Sequence, residues 1–178
     1  VLVNLNGLVK KGTDGKLTFT GVSLPEGKKP LILSQDDVSY YEYMENSGFP
    51  SKLIVDKQNQ IKNIYIDNKK ETVGDYDMVP LIDSFIKKHP DFSYQGAKGT
   101  LALTGYNGVL GYRTSKSEYG DNEKTNKEIE AAKKVADQLK KDGWSFASHT
   151  WGHLNMTQAS LADIQQDNER WQNEVAPI

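Results

Sequence analysis

Short apolar runs that alternate with amphipathic helical segments are the feature that most constrains the fold of this chain. Three runs have the length and composition of buried strands and are bounded by turn residues: 30–34, 99–104 and 144–148. Three segments carry apolar residues at helical spacing: 77–88, 128–141 and the segment that begins at Ser160. The order strand, helix, strand, helix, strand, helix predicts an α/β fold with a parallel sheet and right-handed crossovers, open or partly closed.

Two regions fall outside this alternation. Residues 1–28 are rich in Gly, Lys and Thr and predict a small N-terminal β segment, so we place the main domain at 29–178. Lys52–Asp56 and Ile61–Asp67 are separated by a polar connector and predict a β-hairpin, interpreted as an insertion outside the core. The stretch 107–126 has no periodicity and predicts a long surface loop.

Composition excludes several classes of function. The net charge of -2 provides no basic surface for nucleic acid or for an anionic membrane, so a neutral or sugar-like ligand fits better. No apolar run is long enough to span a membrane. The chain has no Cys, so any metal must be held by His and carboxylate ligands. At 178 residues, the chain is too short for a complete eight-stranded α/β barrel with additions.

Candidate ligands stand at the ends of two predicted strands. Asp36 and Asp37 follow the first strand, and His149 follows the third, with His153 four residues further on. In parallel α/β folds, active sites and ligand-binding sites lie at the carboxyl ends of the strands, because the loops converge there. Two imidazoles at this spacing can bind one ion.

Each pattern taken alone also has an ordinary explanation. The two histidines can be unrelated, one ending the strand and one on the surface. An adjacent Asp pair is commonly an acidic turn. The coincidence of both patterns at strand ends is what favours a metal site.

Two motifs resemble those of the polysaccharide deacetylase family, the NodB homology domain of carbohydrate esterases. Residues 34–37, Ser-Gln-Asp-Asp, resemble its Thr-Phe-Asp-Asp motif. Residues 149–153, His-Thr-Trp-Gly-His, match its His-Ser/Thr-x-x-His motif. The resemblance covers roughly residues 30–178.

This resemblance implies a (β/α) barrel-like fold and a site with assigned roles. Asp37, His149 and His153 would bind a divalent metal, usually zinc, and Asp36 would act as the catalytic base. The implied reaction is removal of acetyl groups from an N-acetylated polysaccharide such as peptidoglycan, a chitin-like polymer or an exopolysaccharide. Such polymeric substrates imply an extracytoplasmic protein, secreted or at a bacterial cell surface.

The sequence also departs from the family pattern. Gln35 and Val38 flank the aspartates where the family usually has Phe and Gly. No His follows His153, whereas the family's later motifs supply an arginine that orients the base and a histidine that serves as general acid. We therefore expect an incomplete deacetylase domain, and the strand-like start at Val1 indicates a cut or processed end. The alternative is a non-catalytic carbohydrate-binding or structural relative that retains the metal loop.

Aromatic residues near the motifs have two interpretations. Tyr40, Tyr41 and Tyr43 could stack on sugar rings, or they could pack the adjoining loop, which is the commoner arrangement. Trp151 is expected to pack the metal loop, and His89 to end a helix without acting as a ligand.

Overall fold

The computed structural model describes residues 1–178 as a mixed α/β protein. Its strands are, in chain order, β1 (Val9–Lys11), β2 (Leu17–Phe19), β3 (Ser34–Asp36), β4 (Lys52–Val55), β5 (Ile61–Asp67), β6 (Lys70–Gly74), β7 (Thr100–Leu103) and β8 (Ser145–Ser148). Its α-helices are α1 (Met78–Lys88), α2 (Lys116–Tyr119), α3 (Glu123–Lys141) and α4 (Leu161–Glu174). None of these helices combines the length and hydropathy that a membrane crossing requires.

A parallel sheet of three strands, in the order β3-β7-β8, positions the candidate site. Asp36 pairs with Ala102, and Leu103 pairs with Ser148, so the three strands end close together along the sheet. This confirms the predicted parallel sheet. β3 and β8 each have one sheet neighbour, so the sheet is open and the closed barrel that the resemblance implies is not shown.

The first strand of this sheet differs from its prediction. It runs from Ser34 to Asp36 instead of 30–34, and Leu31 and Ile32 are 41% and 40% exposed. The expectation of burial on both faces is therefore wrong for β3, because β3 is an edge strand. It is correct for the middle strand β7, where Leu101 is fully buried.

The predicted hairpin is two strands of a three-stranded antiparallel meander, β4-β5-β6. β6 was not predicted, because its residues are mostly exposed and its sequence, Lys-Glu-Thr-Val-Gly, has little apolar character. Asn68 and Lys69 connect β5 to β6 with φ angles of 47° and 65°. Positive φ at both central residues is the geometry of a tight hairpin turn, and Asn tolerates it better than most residues.

The meander belongs to the hydrophobic core, so its interpretation as an insertion outside the core is wrong. Leu53 of β4 is fully buried and Ile61 of β5 is 2% exposed. Both join one apolar cluster with Val79 of α1 and Leu139 of α3. Residues of β4 and β5 are buried because α1 and α3 pack against these two strands.

All three predicted helices are present, and two of them begin directly after a capping side chain. α1 matches the predicted 77–88, and α4 begins after Ser160, whose side chain and that of Asp163 form a reciprocal capping box. α3 begins at Glu123, five residues before the predicted 128, because the Asn122 side chain accepts a hydrogen bond from the Thr125 backbone N–H. The stretch 107–126 contains the short helix α2, and its prediction as a surface loop is wrong in part, because Val109 and Leu110 are fully buried in the core.

The N-terminal region forms a small antiparallel pair, β1 with β2, which confirms a β segment there. In the strand-like start of the chain, pairing is limited to Leu2, which bridges Leu31 and Ser93 and is fully buried. Division of the chain at residue 28 stays a prediction.

Candidate metal centre

The three predicted metal ligands lie together at the carboxyl end of the parallel sheet. Asp37 follows β3, His149 follows β8, and His153 lies in the loop after β8. One ligand atom from each lies within 4.8 Å of the others. The sequence analysis grouped these residues because they lie at or after predicted strand ends, and the structure places the same residues next to one another.

Asp37 is the carboxylate that faces both histidines. Its Oδ2 is 3.6 Å from His153 Nε2, and its Oδ1 is 3.9 Å from His149 Nε2. Asp36 Oδ2 approaches only His149 Nε2, at 4.0 Å, and the Asp36 side chain is 55% exposed. The two adjacent carboxylates therefore differ in their surroundings.

The donor set suits a divalent transition metal. Two imidazole nitrogens and one carboxylate oxygen are typical ligands of zinc when no thiolate is present. With bonds of about 2.0 to 2.2 Å, tetrahedral ligand atoms stand roughly 3.3 to 3.6 Å apart. The separation of 3.6 Å between Asp37 and His153 lies within that range, and the separation of 3.9 Å between Asp37 and His149 exceeds it by a few tenths of an ångström. These three residues can therefore bind a four-coordinate metal ion whose fourth position is open to water.

The backbone around these ligands adopts conformations that are unusual for residues other than glycine. Asp37, Thr150 and His153 have φ angles of 57°, 64° and 54°. Residues in the left-handed region cost free energy and persist when surrounding structure holds them, often at functional sites. The loop that carries both histidines is therefore held in a defined conformation.

Helix α4 supplies part of that restraint. Asp167 accepts hydrogen bonds at 2.7 Å from the backbone N–H groups of both Trp151 and Gly152. On the opposite side, the Trp151 carbonyl accepts hydrogen bonds from the backbone N–H groups of Gly105 and Tyr106. The segment between His149 and His153 is thus fixed from two directions.

Trp151 anchors this loop in the core, which confirms its predicted packing role. It is 9% exposed, and its indole Nε1 donates to Glu174 Oε2 at 2.9 Å. A Cβ at Gly105 would lie 2.0 Å from the Trp151 ring, so only glycine allows this approach.

A buried chain of hydroxyl groups supports Asp37 from behind. Tyr41 OH lies 2.6 Å from Asp37 Oδ1 and 2.6 Å from Thr104 Oγ1, and Thr104 Oγ1 lies 2.8 Å from Ser39 Oγ. Burial, reinforced by the hydrogen bond to Asp37, raises the pKa of Tyr41 above its usual value. Its hydroxyl therefore remains a proton donor at neutral pH.

Sequence reasoning missed Thr104 and the Tyr41 contact. Thr104 follows the last residue of β7, so the strand-end rule that singled out Asp36 and His149 applies to it equally. Nothing in the sequence marks a single Thr as part of a site. The role of Thr104 becomes apparent only from the residues that it contacts in the structure.

The tyrosines after the aspartates are mainly structural. Tyr40 and Tyr41 are 8% and 2% exposed, as loop packing requires, whereas Tyr43 is 71% exposed and stacks on Tyr41 with ring centroids 5.3 Å apart. Tyr106 stacks on Tyr41 at 4.5 Å. Contact with a sugar stays a prediction for Tyr43.

The fold and the site together define an α/β protein with a candidate metal centre at the carboxyl ends of parallel strands. Comparison with protein families gives a match to the polysaccharide deacetylase family over residues 112–178. This match supports the family that the motifs indicated, and the matched part contains His149 and His153. No curated protein and no solved structure matches the chain. At the level of the family, the match supports a hydrolase of carbohydrate metabolism that acts on amide bonds.

Proposed function

We propose that this chain forms part of a metal-dependent hydrolase that removes acetyl groups from an N-acetylated polysaccharide. The observation that carries the proposal is the group formed by Asp37, His149 and His153 in a chain that matches this family. The polymer would be a peptidoglycan, a chitin-like glycan or an exopolysaccharide, and the protein would act outside the cytoplasm.

Asp37, His149 and His153 would hold the metal, which we propose to be zinc. When bound, such an ion supplies a water of lowered pKa, about 7, and polarises the acetyl carbonyl. Because the candidate ligand atoms come from two strand ends and one restrained loop, the chain itself fixes the positions of the ligands.

Asp36 would serve as the base. Its carboxylate is exposed and lies 4.0 Å from His149 Nε2, so it borders the ligand group without contacting both histidines. There it can accept a proton from water as the water oxygen adds to the acetyl carbon. As the C–N bond breaks, the departing nitrogen takes up the proton that Asp36 accepted, and the products are acetate and a free amine.

Zinc titration by calorimetry tests the metal site. We expect one zinc ion per chain, lost in His149→Ala and in His153→Ala. The third histidine of the chain, His89, ends helix α1 and provides the matched control, since His89→Ala should bind zinc as the wild type does. A wild-type chain that fails to bind zinc or another divalent transition metal would contradict the proposal.

Acetate release tests the reaction. We expect the natural protein that contains this sequence to release acetate from N-acetylglucosamine oligomers and to stop when the metal is removed by chelation. Metal binding without acetate release from any of the three polymer classes would favour the non-catalytic, carbohydrate-binding alternative.

A further inference from the structure

We propose that Tyr41 is a positioning residue that, together with Thr104 and Ser39, fixes Asp37 as a ligand that binds through one oxygen. The inference rests on the proposed metal site and concerns how the chain prepares that site. It arises from the hydroxyl chain that ends on Asp37.

The direction of every hydrogen bond among these hydroxyl groups follows from Asp37, the acceptor at the end of the series. An ionised carboxylate only accepts hydrogen bonds, so Tyr41 must donate its single hydroxyl proton to Asp37. Thr104 must then donate to the Tyr41 oxygen, and Ser39 must donate to Thr104. Three hydroxyl groups thus point in one direction, toward the carboxylate, and hydrogen bonds in such a chain strengthen one another.

Burial makes this arrangement a fixed one. Ser39 and Thr104 are fully buried and Tyr41 is 2% exposed, so water cannot easily replace any of the three bonds. The ring of Tyr106 stacks on Tyr41 and limits its movement. The chain also links two strand ends, because Ser39 and Tyr41 follow β3 and Thr104 follows β7.

The two oxygens of Asp37 therefore have different roles. Oδ1 accepts the hydrogen bond from Tyr41 and lies 3.9 Å from His149 Nε2, whereas Oδ2 makes the shorter approach to a histidine, 3.6 Å from His153 Nε2. Coordination through Oδ2 alone suits a small four-coordinate ion such as zinc. Binding through both oxygens, as calcium often requires, would make the cation and the Tyr41 hydroxyl share Oδ1. The hydrogen bond from Tyr41 accordingly favours coordination through Oδ2 alone.

The substitution Tyr41→Phe tests this role, because it removes only the hydroxyl group. Loss of a hydrogen bond to a metal ligand typically lowers metal affinity about 10- to 100-fold, and we expect zinc affinity to fall within that range. The absorption spectrum of the Co²⁺-loaded chain should also change, because cobalt reports coordination geometry directly. Tyr43→Phe is the matched control: Tyr43 is a neighbouring, exposed tyrosine, and its variant should keep the wild-type affinity and spectrum.

Substitutions at Thr104 give an independent test should Tyr41→Phe fold poorly. Thr104→Val keeps the shape and removes the hydroxyl group, so it should weaken zinc binding less than Tyr41→Phe does. Thr104→Ser keeps the hydroxyl group and should restore affinity. Wild-type affinity and an unchanged cobalt spectrum in both Tyr41→Phe and Thr104→Val would overturn the inference while leaving the proposed function intact. Absence of metal binding by the wild type would instead overturn both.

Discussion

At the scale of single residues, Asp36 and Asp37 show how adjacent identical side chains acquire different chemistry. Asp37 faces two histidines and accepts a hydrogen bond from Tyr41, whereas Asp36 approaches one histidine and is largely open to solvent. The residues themselves could be found from the sequence, because each motif follows a predicted strand. Their buried support could not, because the Tyr41 and Thr104 hydroxyls are 63 positions apart in the chain.

Asparagine substitutions should separate the two roles. Asp36→Asn keeps the shape of the side chain but cannot accept a proton, so we expect zinc affinity near that of the wild type and a loss of about 10² to 10⁴ in kcat of acetate release. Asp37→Asn removes an anionic ligand and should weaken zinc binding itself. Calorimetry and acetate assays on both variants measure this. The reverse pattern would exchange the two assignments.

At the scale of secondary-structure elements, tertiary packing determined the contacts and the burial that sequence patterns could not predict. The cap at Ser160 predicted where α4 begins, but nothing in the sequence showed that Asp167 on this helix would bind the backbone of the histidine loop. The hairpin of β4 and β5 was likewise predicted from two strand-like segments and their polar connector, whereas its burial depends on α1 and α3. Local patterns predict an element, and its neighbours determine which face is buried.

Asp167→Asn should lower the zinc affinity of the site, although Asp167 is not one of the proposed metal ligands. The substitution places an amide N–H against one of two backbone N–H groups, so one hydrogen bond is lost and the other is no longer charge-assisted. We expect about 1 to 3 kcal/mol less stability and a measurable drop in zinc affinity, because the loop with left-handed Thr150 is held less firmly. Glu169→Gln, on an exposed position of the same helix, is the control. Equal zinc affinity in the two variants would show that the loop holds itself.

Leu53→Ala tests whether the meander is part of the core. Leu53 is fully buried against the central cluster, so the substitution should cost about 2 to 5 kcal/mol in the free energy of unfolding. Leu17→Ala, at a site on β2 that is 70% exposed, should change stability by less than about 0.5 kcal/mol. Urea unfolding measures both. A small loss at Leu53 would mean that the meander folds apart from the remainder.

At the scale of the whole molecule, one carboxylate joins three parts of the chain. Glu174, the last residue of α4, accepts hydrogen bonds from the Trp151 indole, the Ser115 hydroxyl and the Ser117 backbone N–H. The order of strands and helices predicted the parallel sheet, because crossover rules are general. It did not predict this junction, because the partners are 23 to 59 positions away from Glu174 in sequence.

Glu174 should make the stability of the protein depend on pH in the acid range. Burial alone would raise the pKa of Glu174, but the hydrogen bonds from Ser117 and Trp151 outweigh it and hold the pKa below its usual value. The folded state therefore binds a proton less readily than the unfolded state, whose glutamate pKa is about 4.3. The stabilisation is fully present above that pH and is lost as pH falls through the lower folded pKa.

Glu174→Gln removes this titration and should cost about 1 kcal/mol of stability at neutral pH, a value reduced for partial exposure. Urea unfolding of the wild type and the variant at several pH values from about 7 down to about 3 gives the difference in unfolding free energy. We expect that difference to be largest near pH 7 and to shrink below about pH 4, because the protonated wild-type carboxyl then resembles the amide. Glu169→Gln, exposed on the same helix, should show a small difference that does not vary with pH. A constant difference for Glu174→Gln would mean that the junction depends on shape and neutral hydrogen bonds, with no contribution from the charge of the carboxylate.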